Sequence, residues 1–114
     1  MATPLWNLGI PAILKSYLDR IIIVGLTFRY TEQGPLGLCT GKKAVHITAR
    51  GGVYSQEPYA SYEMADRYLR TILGFIGVCY ITTIAAEGLD IVGADIRSIV
   101  DRAKREAEEK ARAF

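Results

Sequence analysis

Hydrophobic residues change their spacing repeatedly along this chain, and each change marks an element. From Pro11 onward, Leu14, Leu18, Ile21 and Ile22 recur at intervals of four, three and one, the face of a single helix. Pro11 suits the first turn, where a missing N–H leaves no intrahelical bond unmade, and Gly25 is the expected stop. Residues 26–42, LTFRYTEQGPLGLCTGK, hold three glycines and a Gly34-Pro35 pair and read as a long surface connection. Residues 43–49, KAVHITA, are β-branched and apolar and run into Arg50-Gly51-Gly52, a strand followed by a glycine-rich turn. The connection VYSQEPYAS then leads to a helix over about residues 62–76. Its core face is Ala65, Leu69, Ile72 and Ile76, with Tyr68 and Phe75 on an adjoining stripe and Gly77 ending it. Residues 78–86, VCYITTIAA, form a second strand. After Glu87-Gly88 a loop enters the last helix, from about Gly93 to the C-terminus. Its stripe is Ile96, Ile99, Val100 and Ala103, and Glu106–Lys110 and Glu108–Arg112 are i,i+4 pairs on the solvated end.

The order is helix, strand, helix, strand, helix. Near-continuous apolar strands alternating with helices predict an α/β fold whose parallel sheet is covered on both faces. Thr3-Pro4-Leu5 then has the look of the last residues of a further strand. On that reading Trp6-Asn7 and Arg50-Gly51-Gly52 are equivalent features, each a loop leaving the carboxyl end of a parallel strand. Open α/β sheets bind their ligands at that edge. The free side of strand 43–49, flanked by Val45 and Ile47, is the expected place for pairing with a second chain, giving a homodimer or larger assembly.

Composition restricts the setting. The 114 residues make one domain with one modest core. Half are hydrophobic and 23% are charged, with a net charge of +2, so there is no broad basic surface for nucleic acid. The longest apolar run, residues 21–26, is far too short to span a bilayer, and the N-terminus lacks a signal-peptide pattern. Cys39 and Cys79 are read as reduced thiols of a cytoplasmic protein. A lone histidine, His46, and no Cys-x-x-Cys pair argue against structural zinc. His46 itself, inside a strand, reads as a satisfied structural histidine.

Taken from the residues alone, Trp6 reads as a core tryptophan beside a helix start and Arg50-Gly51-Gly52 as an ordinary turn. Tyr54 reads equally as a residue closing over a ligand or as an exposed side chain. Nothing in the chain resembles a nucleophile–base arrangement.

The segments PLWNLGIPAILKSYLD, GLTFRYTEQGPLGLCTGKKA, ARGG, LGFIG and AAEG, in that order, resemble the C-terminal half of the FMN-dependent NADH azoreductases, relatives of the flavodoxin-like quinone reductases. The resemblance runs from Thr3 to about Gly88. It implies a partial flavodoxin-like three-layer sandwich with the N-terminal half missing, including the serine-containing turn that holds the FMN phosphate. Residues 1–114 are then the C-terminal half of one FMN-binding domain. It further implies a homodimer with flavin sites at the subunit interface, and two-electron transfer from NADH or NADPH to quinones or azo compounds. By the same resemblance Leu5, Trp6, Asn7 and Leu8 are flavin contacts, and Ala49, Arg50, Gly51 and Gly52 form the second flavin-binding loop. The family often has an aromatic where Leu8 stands, and many members have serine where Ala49 stands. Tyr30 and Phe75 are implied to reach the partner's flavin and line the substrate slot, with Tyr54 closing over the ring. The alternative reading, of another class, is a non-catalytic dimerisation or interaction module.

Overall fold

The alternation of residues along KAVHITAR decides how the layers are arranged. In a computed structural model that describes all 114 residues, Lys43–Arg50 (β4) is the central strand of a three-stranded parallel sheet. On one side it pairs with Tyr80–Glu87 (β5), from Lys43 opposite Tyr80 to Arg50 opposite Glu87. On the other it pairs with Ala2–Pro4 (β1), Ala2 opposite Ile47 and Pro4 opposite Ala49. Side chains of a strand point alternately to the two faces. Ala44, His46, Thr48 and Arg50 therefore share one face, and Val45, Ile47 and Ala49 the other.

Helix Ala12–Ile21 (α1) and helix Ala65–Phe75 (α2) lie on the His46 face, and helix Ile96–Ala113 (α3) lies on the Ile47 face. The three-layer parallel arrangement expected from the sequence is present. None of the helices is long and apolar enough to cross a membrane.

Several boundaries differ from the sequence reading, each for a local reason. Helix α1 stops at Ile21, not Gly25. The hydroxyl of Thr27 donates to the Ile21 carbonyl (3.1 Å) and accepts from the Ile23 N–H (2.9 Å), so a side chain takes over the groups that another helical turn would use. Gly25, at φ +84°, belongs to the turn that follows. Residues 26–42 are not simply a connection. They contain an antiparallel hairpin, Phe28–Thr31 (β2) and Gly34–Gly37 (β3), with Tyr30 opposite Pro35. Its anchor is Phe28, buried against Phe75 with ring centroids 4.7 Å apart.

Helix α2 is entered from a short 3-10 turn, Ala60–Tyr62, and its first N–H groups, those of Ala65 and Asp66, donate to the Glu63 carboxylate at 3.1 and 3.0 Å. Its buried residues are Ala65, Leu69 and Leu73, with Ile76 just beyond. Leu73, not Ile72, continues the four-residue stride. Leu73, Ile76 and Val78 form a core cluster with Ile22, Ala44 and Ile81 packed around it. Helix α3 is capped by Asp95, whose carboxylate accepts the Ser98 N–H at 3.0 Å. None of its residues is fully buried, and Ile96 is exposed, so its expected stripe is only half covered. Neither pair on its end closes into an ion pair, whereas Lys15–Asp19 on α1 does, at 2.7 Å. Cys39 and Cys79 are free thiols.

The free edge expected along residues 43–49 is partly occupied. The Ile47 N–H donates to the Met1 carbonyl (2.8 Å) and the Leu5 N–H to the Ala49 carbonyl (2.9 Å), so beside the second half of β4 the outer edge has moved to β1, while β5 forms the opposite edge of the sheet. The sheet is also not apolar on both faces: His46, Thr48, Arg50, Thr83 and Glu87 make the α2 side polar.

Candidate functional site

All three parallel strands end at the same edge, and the loops that leave them define a cavity there. After β1 the chain turns at once. The Trp6 N–H donates to the Gly9 carbonyl (3.1 Å) and the Gly9 N–H returns the bond to Trp6 (3.0 Å). Between them Asn7 and Leu8 have φ of 48° and 68°. Positive φ at both central residues marks a type I′ turn, which asparagine tolerates and leucine adopts only under strain. The Leu8 carbonyl accepts the Met64 N–H (3.0 Å), which ties the strained turn to the start of α2.

After β4 come Gly51 and Gly52, and after β5 come Gly88, Leu89 and Asp90. Three bonds zip these loops together: Gly88 N–H to Gly52 carbonyl (3.1 Å), Leu89 to Arg50 (3.2 Å) and Asp90 to Gly51 (3.0 Å). A side chain at either glycine would have to displace a neighbouring side chain. A Cβ on Gly51 would lie 2.2 Å from an Asp90 carboxylate oxygen, and one on Gly52 would lie 3.0 Å from the Tyr54 ring.

The resulting cavity has a volume of about 580 Å³, within the range of small-molecule sites. It brings together six of the residues singled out in the sequence: Leu5, Asn7, Leu8, Gly51, Gly52 and Tyr54. It adds two that the sequence reading missed, Asp90 and Ile91. The rule that ligands sit outside the carboxyl ends of all adjacent strands was a sufficient signal for them, since β5 ends just before that loop.

Other expected residues lie elsewhere. Trp6 is 62% exposed, so it is not a core tryptophan; it faces a shallow apolar depression with Pro4, Pro11, Ile13 and Tyr17. Ala49 points to the α3 face. Arg50 is buried on the α2 face, its Nη1 donating to Glu87 Oε1 (2.8 Å) and its Nη2 standing 3.4 Å from Glu63 Oε1. Glu87 Oε1 also accepts the Tyr54 N–H at 3.0 Å, so Arg50 fixes the loop from beneath instead of facing the cavity. Burial alone would raise the Glu87 carboxyl, but bonds from Ser55, Arg50 and Tyr54 outweigh it and hold the group below its ordinary value. Tyr30 and Phe75 both pack on Phe28, away from the cavity, and Tyr30 is 70% exposed.

Behind the cavity a second polar system crosses the sheet. His46 is fully buried; one ring nitrogen bonds the Thr3 hydroxyl (2.9 Å) and the other Asp66 Oδ1 (3.0 Å). The Thr83 hydroxyl donates to the same carboxylate oxygen, and Arg70 Nε reaches Oδ2 at 2.6 Å. This is the satisfied structural histidine read from the sequence. Burial opposes ionisation of Asp66, yet the bonds from His46, Thr83 and Arg70 prevail and hold the carboxyl far below the usual range.

A family model described as the flavodoxin-like fold matches residues 1–111. The chain belongs to the flavodoxin-like fold family. It is 56% identical over 114 residues to the FMN-dependent NADH:quinone oxidoreductase 2 of Clostridium acetobutylicum, covering all of this chain and 57% of that protein. It is 59% identical over 113 residues to the FMN-dependent NADH:quinone oxidoreductase of Caldicellulosiruptor saccharolyticus, covering 99% of this chain and 56% of that protein. Among solved structures, an FMN-dependent NADH-azoreductase from Bacillus anthracis in complex with FMN superimposes with a TM-score of 0.91 at 34% identity, covering 97% of this chain and 52% of that one. The chain thus spans little more than half the length of these flavodoxin-like relatives.

The cavity fits part of such a cofactor. Leu5, Leu8 and Ile91 offer apolar wall to a flat ring, while the Asn7 amide and the N–H groups of Gly51 and Gly52, which have no backbone partner, offer donors to a polar ring edge. No lysine or arginine lines it, so no cation of the cavity can pair with a phosphate.

Proposed function

We propose that this chain supplies the ring-binding part of a flavin-dependent oxidoreductase that passes two electrons from NADH or NADPH through FMN to a quinone or azo compound. The observation that carries the reading is the cavity at the carboxyl ends of β1, β4 and β5, with apolar walls, backbone donors and no nucleophile–base pair. An enzyme whose chemistry belongs to its cofactor needs that combination. The names of the relatives point the same way. The chemistry supplied by bound FMN is hydride uptake and two-electron release.

The residues of this chain bind and orient. Leu5, Leu8 and Ile91 exclude water from a ring, and Asn7, Gly51 and Gly52 fix its polar edge. Tyr54, folded over Gly52, borders the cavity where a substrate would stack. The Ala49–Gly52 segment carries the loop, with Arg50 as its anchor and not as a ligand contact.

Tyr30 and Phe75 serve a partner's site in this reading. The apolar exposure of Ile13, Tyr17, Val24, Leu26 and Tyr30 supports a homodimer, and the free thiols accord with a cytoplasmic protein. That same exposure favours the second reading, a non-catalytic association module.

Flavin titration separates the two. We expect the 114-residue chain to bind FMN weakly, with a Kd on the order of 10 µM or above, and to bind riboflavin within about threefold of that value. The reason is that no lysine or arginine of the cavity can pair with the phosphate, and the donors present are assigned to the ring edge. NADH oxidation with menadione is expected to be slow. Self-association without binding of either flavin would instead establish the module reading.

A further inference from the structure

We propose that Asp90 is a further cofactor-facing residue, which disfavours the negative charge that a flavin gains on reduction and so lowers its potential. This rests on the flavin reading of the cavity.

The backbone that carries this side chain is held in place. The Asp90 N–H is bonded to Gly51, Leu89 and Gly88 are bonded to Arg50 and Gly52, and a carboxylate oxygen of Asp90 lies in the space that a Cβ on Gly51 would take. Glycine at position 51 therefore makes room for Asp90 as well as for a ring. The charge is also uncompensated. Asp90 takes part in none of the five ion pairs, which lie on α1 and on the polar face of the sheet. The cavity it borders contains no basic residue.

A flavin that takes up two electrons and one proton gains one negative charge, shared over its N1–O2 edge. A carboxylate at the cavity wall repels that charge without needing a directed bond, with a strength set by its distance from that edge. The free N–H groups of the glycine loop act in the opposite sense. Asp90 thus keeps the reduced cofactor a strong electron donor. Because Asp90 is exposed, its influence is screened by salt.

The test titrates the chain with oxidised FMN and, without oxygen, with FMN reduced by dithionite. In Asp90→Asn the ratio of the Kd for reduced FMN to that for oxidised FMN is expected to fall about tenfold, equivalent to raising the two-electron potential by about 30 mV. The difference is expected to shrink in 1 M salt, and Asp90→Glu is expected to keep the original ratio. An unchanged ratio in Asp90→Asn, with FMN still binding, overturns the role of Asp90 alone. Absence of FMN binding to the unsubstituted chain overturns the flavin reading and this role with it.

Discussion

Gly37→Ala is expected to destabilise the fold by about 3 kcal/mol, the cost of forcing a methyl group into a space that cannot open. At Gly37 strand β3 runs against the end of α2. A Cβ there would lie 2.3 Å from the Gly77 nitrogen and the Ile76 carbonyl carbon, and 2.6 Å from the Ile76 oxygen. All three are backbone atoms, so no side chain can rotate away. Relief requires the hairpin to lift from the helix, which loosens the Cys39 N–H to Ile76 carbonyl bond (2.8 Å) and the packing of Phe28 on Phe75. Gly74→Ala is the matched control. A Cβ there meets nothing within 4 Å and the residue is helical, so that variant is expected to gain up to about 1 kcal/mol. Urea unfolding of both variants checks the pair, and a Gly37→Ala protein within about 0.5 kcal/mol of the parent would refute the packing described.

Asp66→Ala is expected to cost a similar amount, about 3 kcal/mol, and to lower the thermal midpoint by roughly 10 °C. Removing this carboxylate leaves His46, buried in the sheet, with one ring nitrogen unpartnered, and strips Arg70 and Thr83 of their common acceptor. The pH dependence follows from the depressed carboxyl. Above the ordinary aspartate value of 3.8 the group is ionised both folded and unfolded, and its stabilisation is complete. Below that value the unfolded chain takes up a proton that the folded chain refuses. Stability is then lost as the pH falls towards the folded value. Asp66→Asn is expected to flatten the acid limb of the stability profile below pH 4 while lowering the plateau above it. An acid limb of unchanged slope in Asp66→Asn would contradict the assignment.

What the sequence disclosed follows from what each element depends on. Strands β4 and β5 and helix α2 were legible because their signals are local: β-branched runs, and Ala65 and Leu69 four residues apart. The polar interior was not, because its logic is long-range. Arginine is rarely buried unless paired, and Arg50 finds its partners at Glu63 and Glu87, 13 and 37 residues away. Read as an apolar run, KAVHITAR conceals the row of Ala44, His46, Thr48 and Arg50 that faces α2. The hairpin 28–37 was hidden for another reason. Its turn, Glu32-Gln33 between Thr31 and Gly34, lacks the Asn-Gly or Asp-Gly pair that announces a tight turn, and its glycines resemble those of a loop. The site divides in the same way. Six of the eight cavity residues were found through the Trp-Asn and Arg-Gly-Gly loops, whereas Asp90 and Ile91 were missed because the loop after β5 carries no such motif, although it leaves the same edge of the sheet.

The central claim is that the loops following β1, β4 and β5 form one ring-binding site. It is tested most directly by following backbone amide resonances of the ¹⁵N-labelled chain as FMN is added. The account predicts that Asn7, Leu8, Gly51, Gly52 and Asp90 shift together along a single binding curve, while His46, Arg70 and Thr83 stay in place. Shifts confined to the polar face around Asp66 and Arg70, or spread evenly over the chain, would contradict it.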